Sequence, residues 1–566
     1  MSLPTDESPA VAGTAEDAPD PKRWAALAIV LLAAFMDLLD VTIVNVAVPS
    51  IQTDLHAGYS AIEWVTAGYA LSFAALLISG GRLGDIFGRK KLLMIGMAGF
   101  TVASLLCGVA VSPGMLITAR VLQGCMAALM VPQVLAIIHV AFPASERGKV
   151  FGMYGSIGGL AVLSGPILGG VFVNANLFGW DWRPIFLVNI PVGVLGCVAA
   201  AYYVSESRSP NAPRLDVVGV VLATVAVLLL VYPLTEGRDR GWPAWIFLMM
   251  GASVVMTVVF VLYERRLTAQ GRTPLIVLSL FSARSFAGGF SVNLLFNLTY
   301  GTFFLMSALY MQVGLGWSAL HAGLTGVPFF LGLAISAGAA VQFLTPKFGR
   351  KVMFAGGILL VAGTLVYILA VNRYMIGIHS WEMGPALFVM GLGMGLVVAP
   401  LVDFALTDVP HESAGSASGV LSTTQQLGNS IGIALVAALF LAPLAGQAAA
   451  GVDSVAPQIR HELSAAGLSQ PAQSAVISSF KVCAKDQAAE KDPAVVPASC
   501  KAGPPPGTTP EQAAVVAKSM RDHSPAVTAD TFSRSFRNGL GWVAGLLVLV
   551  TLLMVTMPKF ARPQEV

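Results

Sequence analysis

Charged residues are scarce in this sequence. Asp, Glu, Lys and Arg make up 11% of its 566 residues, whereas 56% are hydrophobic. A soluble globular protein carries about 25% charged residues, which cover its surface with polar groups. The scarcity excludes a soluble globular protein and predicts an integral membrane protein in contact with the lipid bilayer. The net charge of +3 is too small to indicate a nucleic-acid partner.

Several motifs of catalysis are also missing. The sequence contains no GxxxxGK[ST] phosphate-binding loop and no HExxH pair. No histidine lies in the middle of an apolar run, which argues against a proton relay built on histidine. We therefore expect no enzyme activity, no cofactor and no metal site.

Apolar runs long enough to cross a membrane recur along the chain. A spanning helix needs about 20 mostly apolar residues. The runs predict an all-α protein with fourteen spans. Their approximate limits are 24–48, 60–80, 92–111, 115–138, 150–173, 184–204, 216–235, 243–263, 286–311, 319–343, 352–371, 383–406, 416–444 and 537–557.

Lysine and arginine are unevenly distributed among the connecting segments. Nineteen of them fall on one side of the predicted membrane, and four fall in the short loops on the other side. Because cytoplasmic loops carry the excess of positive charge, we expect a cell-membrane protein with both termini in the cytoplasm. Residues 1–23 are acidic and rich in Pro, Ala and Ser, and we expect a disordered cytoplasmic tail there.

The two longest internal connectors divide the spans into six, two and six. The division predicts a six-helix bundle over 24–205, two inserted helices over 206–284, and a second six-helix bundle over 285–566. A short echo supports two related halves, since Phe348–Lys351 follows span 10 much as Phe87–Lys90 follows span 2. Parallel repeats of this kind are a feature of transporters.

Two carboxylates and one base lie inside the predicted spans of the first half. Asp37 and Asp40 are about 20 and 24 Å from the start of span 1, and three residues apart on one helix face. A carboxyl group at this depth can bind or release a proton near neutral pH. Arg120 in span 4 lies about as far from the outer surface as Asp40, so we expect a proton-coupling pair. The alternative is a static ion pair or a structural hydrogen bond between helices.

Span 5 is unusually rich in small residues. Such residues let helices approach closely, and a proline within the span permits a bend. Their density predicts a surface on which helices slide or rock. The residues are Gly155, Gly159, Gly165, Pro166, Gly169 and Gly170.

Uncharged polar residues inside other spans are candidates for the lining of a central cavity. Each of them is equally well explained by a hydrogen bond between helices. The candidates are Asn45, Gln123, Asn293, Asn297, Gln425, Gln426 and Asn429.

A long polar segment, 445–536, lies outside the membrane by this topology. We expect short helices near 458–466 and 510–521, and no sizeable core of its own. Cys483 and Cys500 lie in this segment, on the oxidising side, where a disulfide is favoured. Two free thiols, or pairing with another chain, are the alternatives. The segment is also where a partner could bind, although we expect a monomer.

Several of these stretches resemble one known family, the major facilitator superfamily, in its drug:proton antiporter branch with fourteen spans. The loop Gly81–Lys91 is similar to the signature between spans 2 and 3, through Gly81, Asp85, Gly88, Arg89 and Lys90. Leu39–Pro49, Arg120–Gly124, Gly165–Gly170 and Trp182–Pro191 are similar to motifs of spans 1, 4 and 5 and of the following segment. The second half matches only in hydropathy and in the short echo.

The resemblance implies two bundles around a cavity, alternating access, and proton influx coupled to export of drugs or antibiotics. It assigns Asp40 and Arg120 to proton coupling, and Asp85 and Arg89 to a conformational latch. Span 13 has no acid, which argues against a dicationic substrate. An exporter of a lipid or envelope component is the alternative, and a non-transporting sensor or scaffold is a third hypothesis.

The loop with Asp85 and Arg89 is predicted to act as a gate. An exposed ion pair four residues apart contributes only about 0.5 kcal/mol, so its position must matter more than its energy. We expect Asp85 to contact the start of span 11, or Arg147 or Lys149, when the cavity faces outwards, and to release when it faces inwards.

Overall fold

The structure is a computed structural model. It describes residues 21–560 except 177–178, 209–215, 238–239, 273, 277, 410–413, 491–494, 502 and 504. Nearly all of the predicted N-terminal tail therefore lies outside the described residues. Within the described ranges the chain is helical and contains no strand.

The helices of the first half and the insert follow the predicted apolar runs. They are α1 Arg23–Asp54, α2 Tyr59–Phe87, α3 Arg89–Gly108, α4 Pro113–Ala141, α5 Ala144–Ala175, α6 Pro184–Leu187, α7 Asn189–Tyr203, α8 Val217–Glu236 and α9 Ala244–Ala269.

The second half continues in the same way, with one π-helical turn after each of three helices, at Tyr310–Gly314, Ala340–Leu344 and Ala437–Leu441. Its helices are α10 Arg284–Leu309, α11 Ala319–Thr325, α12 Val327–Ala339, α13 Thr345–Phe348, α14 Lys351–Tyr374, α15 Ser380–Leu406, α16 Ala414–Val436, α17 Leu444–Ala465, α18 Gln470–Ala489 and α19 Pro510–Leu553.

Every predicted span falls on a helix. In the described part of the chain, eleven helices are long and apolar enough to cross a membrane, or twelve if α2, bent by 49°, is one span. α8 is apolar but shorter, over Val217–Pro233, and α5 carries the fifth predicted run. The all-α membrane fold is confirmed, whereas the count of fourteen spans stays a prediction.

Each half has an apolar core. In the first half, side chains such as Phe73 and Phe100 are buried among α1–α4 and α7. In the second half the core includes Phe286, Tyr367 and Phe536. The halves meet where α5 packs on α11 and α2 packs on α16, and the insert α8–α9 packs on α2. The predicted domain limits themselves stay a prediction.

The echo between the halves has the same structural role in each. Gly88 has φ +113° and the Arg89 N–H donates to the Ser207 carbonyl, 3.0 Å away, beyond the last helix of the first bundle. Gly349 has φ +56°, and the Arg350 N–H donates to the Lys559 carbonyl, also at 3.0 Å. In both halves the loop after the second span is bonded to the chain that leaves the sixth, as a repeat predicts.

The expectation that 445–536 has no core is wrong. α17, α18 and the first part of α19 form a helical unit, here called the α17–α19 domain. Its core contains Val452, Ile459, Leu463, Phe480 and Val516, all buried. The unit is possible because apolar residues recur every three or four positions on otherwise polar helices, so each helix has one apolar stripe.

The two cysteines of this domain form a disulfide, which joins Cys483 at the end of α18 to Cys500 beyond it. On the neighbouring helices, the Glu462 carboxylate accepts hydrogen bonds from Ser519 Oγ at 2.6 Å and from His523 Nε2 at 3.0 Å. Those bonds lower the pKa of Glu462 from its ordinary value of 4.5, since they stabilise the ionised form.

α19 joins this domain to the membrane part without a break. The helix is 44 residues long, which corresponds to about 66 Å. Its start is fixed by a capping box, in which Thr509 Oγ1 accepts from the Gln512 N–H and the Gln512 side chain accepts from the Thr509 N–H. The fourteenth predicted span is therefore the end of a much longer helix, which contains Pro525 in its first half.

Candidate functional site

The predicted pair of Asp40 and Arg120 forms a buried ion pair. Asp40 on α1 has no exposed side-chain surface, and Arg120 on α4 is 1% exposed. Arg120 Nη1 donates directly to Asp40 Oδ2. The two side chains, which the sequence places at equal depth in the membrane, are thus in direct contact.

The Asp40 carboxylate has further donors from two more helices. Gln123 Nε2 lies 2.8 Å and Asn189 Nδ2 lies 3.0 Å from Asp40 Oδ1. Gln123 Nε2 also donates to Ser104 Oγ at 2.8 Å, and its Oε1 accepts from Arg120 at 2.6 Å. Donors from three side chains thus converge on one buried carboxylate.

Arg120 is held from its other side by α2. Its Nε donates to the Val65 carbonyl at 3.0 Å, and its guanidinium carbon lies 4.3 Å from the centre of the Tyr69 ring. A second ring, Phe186, lies 5.7 Å away. Cation–π contacts of this kind stabilise a desolvated cation without neutralising its charge, so the base would stay in place if its carboxylate partner were lost.

Asp37 lies in the same network, one step away. The Tyr69 hydroxyl donates to Asp37 Oδ1, and the ring of the same tyrosine contacts Arg120. Asp37 is 5% exposed, whereas Asp40 is fully buried. Tyr69 therefore connects the two acids, and Asp37 is the more accessible of them.

Two members of this network, Tyr69 and Ser104, are not singled out by the sequence. Asn189 emerges only through the family resemblance. A signal for Tyr69 exists, because it is a hydroxyl-bearing ring in the middle of an apolar run. Ser104 has no comparable signal, since serine is common at packed helix contacts in membranes.

At the predicted gate, Asp85 pairs with its own neighbour. Arg89 Nη2 lies 2.7 Å and Arg89 Nε lies 3.1 Å from Asp85 Oδ1. The side chains of Arg147 and Lys149, two of its expected partners, lie outside the described residues. In this conformation the ion pair of Asp85 among the described residues is the one with Arg89, and the state-dependent contact stays a prediction.

Glu206 contacts the predicted gate loop, a contact that the sequence did not indicate. Its carboxylate accepts from the backbone N–H groups of Lys90 at 3.1 Å and Lys91 at 3.3 Å, at the N-terminus of α3. A carboxylate suits the positive end of a helix. A side chain on Gly88 would approach this carboxylate to 2.6 Å, which the flexible Glu206 side chain can relieve by moving, so the φ of +113° is what requires the glycine. Lys90 Nζ donates to the Ala201 carbonyl at 2.7 Å, and Gly81 packs against α4.

The glycines of α5 form two contact faces. A Cβ on Gly165 would lie 2.7 Å from Thr42 Cβ, and one on Gly169 would lie 3.1 Å from Ile43 Cγ1, both on α1. A Cβ on Gly170 would lie 2.8 Å from the Cα of Leu320 on α11. α5 is therefore packed against both halves.

The same junction is tight from the side of the second half. A Cβ on Gly323 of α11 would lie 2.8 Å from Pro166 Cβ. The local environments of Gly155 and Gly159 lie outside what the structure describes.

The polar candidates of the second half occupy a helix contact. Asn293 Nδ2 donates to the Leu421 carbonyl at 2.7 Å, and Asn297 Nδ2 donates to the Asn293 carbonyl at 2.8 Å. Asn429 approaches Gly301, which makes it part of the same α10–α16 junction. Gln425 is exposed and Gln426 half-buried, and the Asn45 side chain lies outside the described residues. A cavity-lining role for these residues stays a prediction.

An apolar groove of about 440 Å³ lies between α1 and α5. It is lined by Trp24, Leu27, Leu31, Phe35, Met153 and Ile157, among others. Its walls are almost entirely apolar.

A family model described as Major Facilitator Superfamily matches residues 30–433 of the chain. The chain belongs to the major facilitator superfamily. The match covers the first six predicted spans, the insert and the second set of spans as far as span 13.

Curated relatives within this superfamily are named as antibiotic transporters or resistance proteins. A probable actinorhodin transporter of Streptomyces coelicolor is 41% identical over 100% of this chain and 97% of its own length. The puromycin resistance protein pur8 of Streptomyces alboniger is 33% identical, over 74% of this chain and 82% of its own. A tetracenomycin C resistance and export protein of Streptomyces glaucescens is 32% identical, over 78% and 80%.

Solved structures agree on the fold. A bacterial homologue of the human lysosomal transporter Spinster, inward-facing and occupied, superposes with a TM-score of 0.57 at 14% identity, over 95% of this chain and 97% of that one. A bacterial homologue of the human peptide transporters PepT1 and PepT2 gives 0.54 at 11% identity, over 94% and 98%. The family match and the curated relatives together show a multi-pass membrane transporter of small molecules and not an enzyme.

Proposed function

We propose that the protein exports an amphipathic small molecule, such as an antibiotic, in exchange for protons. The observation that carries the proposal is the fully buried ion pair of Asp40 and Arg120, on two different membrane helices. A buried charge pair is costly to desolvate, and carboxylates inside membrane segments mark proton and ion pathways. The full-length likeness to a probable actinorhodin transporter supports an antibiotic as cargo.

Protonation of Asp40 is the proposed switch. A proton on Asp40 cancels the charge that holds Arg120, which then keeps its bonds to α2 through Val65 and Tyr69. The contact between α1 and α4 weakens as a result. Asp37 is the proposed entry point, because it is the more exposed acid and is bonded to Tyr69.

The change at α1 reaches the contact between the halves through α5. Thr42 and Ile43, close to Asp40 on α1, contact Gly165 and Gly169 of α5. One residue further along α5, Gly170 contacts the second half at α11. A displacement of α1 on protonation therefore displaces the surface on which the two halves meet, as alternating access requires.

The substrate is proposed to enter along the apolar groove between α1 and α5. The groove suits the apolar part of the molecule. We further propose that both termini lie in the cytoplasm of the cell and that one chain is the transporting unit. No cofactor is needed in this proposal, because the proton gradient supplies the energy. A partner could bind the α17–α19 domain.

Proton-coupled uptake into inverted membrane vesicles tests the function. Vesicles that contain the wild-type protein should accumulate actinorhodin, puromycin or tetracenomycin C when the vesicle interior is acidic. The accumulation should stop when an uncoupler collapses the proton gradient. Asp40→Asn should transport without response to the gradient, and Asp37→Asn should respond more slowly. Gradient-dependent transport that is unchanged in Asp40→Asn would contradict the assignment, and transport of labelled lipid alone would favour the lipid alternative.

A further inference from the structure

A second pair of acids lies on the inserted helices, away from Asp40. Asp216 precedes α8 and Glu264 lies near the end of α9. Asp216 is 8% exposed and Glu264 is fully buried. Asp216 Oδ2 lies 2.3 Å and Glu264 Oε1 lies 2.6 Å from the point where a Gly219 Cβ would stand, so both oxygens border the same small space.

One oxygen of each acid is bonded to a neighbour. Asp216 Oδ1 accepts from the Gly219 N–H at 2.9 Å and from the Tyr263 hydroxyl at 2.9 Å. Glu264 Oε2 accepts from the Ile276 N–H at 3.0 Å. The other two oxygens, Asp216 Oδ2 and Glu264 Oε1, are buried and have no hydrogen-bond donor among the described residues.

These two facing oxygens require a proton between them. Two acceptors cannot bond each other, and two adjacent buried carboxylates cannot both ionise without a large electrostatic cost. A single shared proton supplies the missing donor and leaves the pair with one negative charge.

Two arginines interact with this group of residues. The Arg82 guanidinium of α2 interacts electrostatically with Glu264, Asp216 and Asp85. Arg272 is the other cation that acts here, through Tyr263. The described part of α16, which also packs on α8, has no charged or titratable side chain.

The segment between the insert and the second half is held between these charges. Arg82 donates to the carbonyls of Pro274 and Leu275, the latter at 3.0 Å. The next N–H, of Ile276, donates to Glu264. The chain that leaves the insert is therefore bonded to α2 on one side and to the acid pair on the other.

We infer that Asp216 and Glu264 bind one shared proton, and that this proton holds the inserted helices and residues 274–276 against the inner end of α2. Removal of the proton places two negative charges beside one arginine and leaves the segment strained. The site is separate from Asp40 and does not depend on proton antiport.

Carbodiimide labelling of the purified full-length protein in lipid nanodiscs tests the shared proton. Dicyclohexylcarbodiimide reacts with protonated, buried carboxyl groups, and mass spectrometry locates the label. Label on Glu264 should fall about tenfold for each pH unit above its midpoint. In Asp216→Asn the amide donates to Glu264 and keeps it ionised, so the label should fall at least about tenfold at the same pH.

Thermal unfolding provides a second measurement. The wild-type melting temperature should fall as the pH is raised from about 5 to about 7 and change little above that. The melting temperature of Glu264→Gln should fall less, because its amide replaces the proton as donor. Asp37→Asn, which alters the proposed proton path at the small cost of one altered hydrogen bond, should leave the Glu264 labelling profile unchanged, which separates this inference from the transport proposal. Equal Glu264 labelling in Asp216→Asn and wild type would overturn the inference. Identical pH profiles of melting in wild type and Glu264→Gln, or a dependence on added Na⁺ or Ca²⁺ in place of pH, would overturn it too.

Discussion

Asp40→Asn is expected to destabilise the first half strongly. Asn has the size of Asp, but it removes the charge and replaces one acceptor oxygen with a donor. Arg120, 1% exposed, then lacks a counter-charge, and one of the donors on Gln123, Asn189 or Arg120 loses its acceptor. Removal of one partner from a buried ion pair costs about 3–5 kcal/mol of the free energy of unfolding.

Asp37→Asn is the matched control, three residues away on the same helix. Tyr69 can still donate to the side-chain oxygen of the introduced asparagine, so the cost is about 1 kcal/mol, that of one altered hydrogen bond. The two variants should therefore differ by about 2–4 kcal/mol, or about 30- to 1,000-fold in the unfolding equilibrium.

Denaturant titration in lipid bicelles, followed by tryptophan fluorescence, measures the difference. The reasoning would be refuted if Asp40→Asn were as stable as Asp37→Asn, because the pair would then not be the main polar contact of the first half. The expected cost also sets the scale of the switch, since protonation of Asp40 removes the same charge.

Three further outcomes are expected. Gly170→Ala should weaken the close contact of α5 with α11 and reduce cysteine cross-linking between them, whereas Gly158→Ala, with 3.5 Å to its neighbour, should not. Replacement of Cys483 and Cys500 by serine should lower the free energy of unfolding of the α17–α19 domain by about 3 kcal/mol, given the loop of 17 residues. Protease should then cleave the domain faster, and reductant should have the same effect on the wild type. Because the pKa of Glu462 is lowered from 4.5, the stability that Glu462 contributes is present above about pH 4.5 and lost below it. In Glu462→Gln, the helical circular dichroism signal should therefore decrease less on acidification than in the wild type.

The pairing of Asp40 with Arg120 could be predicted because depth along a helix follows from residue count. Each residue advances a helix by about 1.5 Å, so two polar residues at equal depth in an apolar medium have few other partners. The positions of the spans could also be predicted, since the bilayer fixes the length and composition of a spanning helix.

The α17–α19 domain could not be found in that way. Its core residues, such as Val452, Ile459 and Leu463, are separated by polar ones, and a search for apolar runs passes over them. The signal is a helical period of apolar residues in a polar sequence, which requires a different test.

Contacts between residues far apart in the sequence could not be predicted either. Glu206 bonds Lys90 from 116 positions away, and Arg82 bonds Leu275 from 193 positions away. Tertiary packing decides such contacts, and a single sequence holds no record of them. The predicted partner of Asp85 depended on a long-range contact of the same kind, while the local pair with Arg89 follows from a spacing of four residues.

α19 continues through Pro525 as one helix, and a helix of this length would act mechanically as a lever. The part that projects from the predicted membrane surface, Pro510–Phe536, is about 40 Å long. A tilt of about 10° at the membrane would move its far end by roughly 7 Å, together with the α17–α19 domain packed on it. A small reorientation of the last helix in the second half is thus amplified into a displacement of the domain, where a fluorescent label could follow single transport cycles.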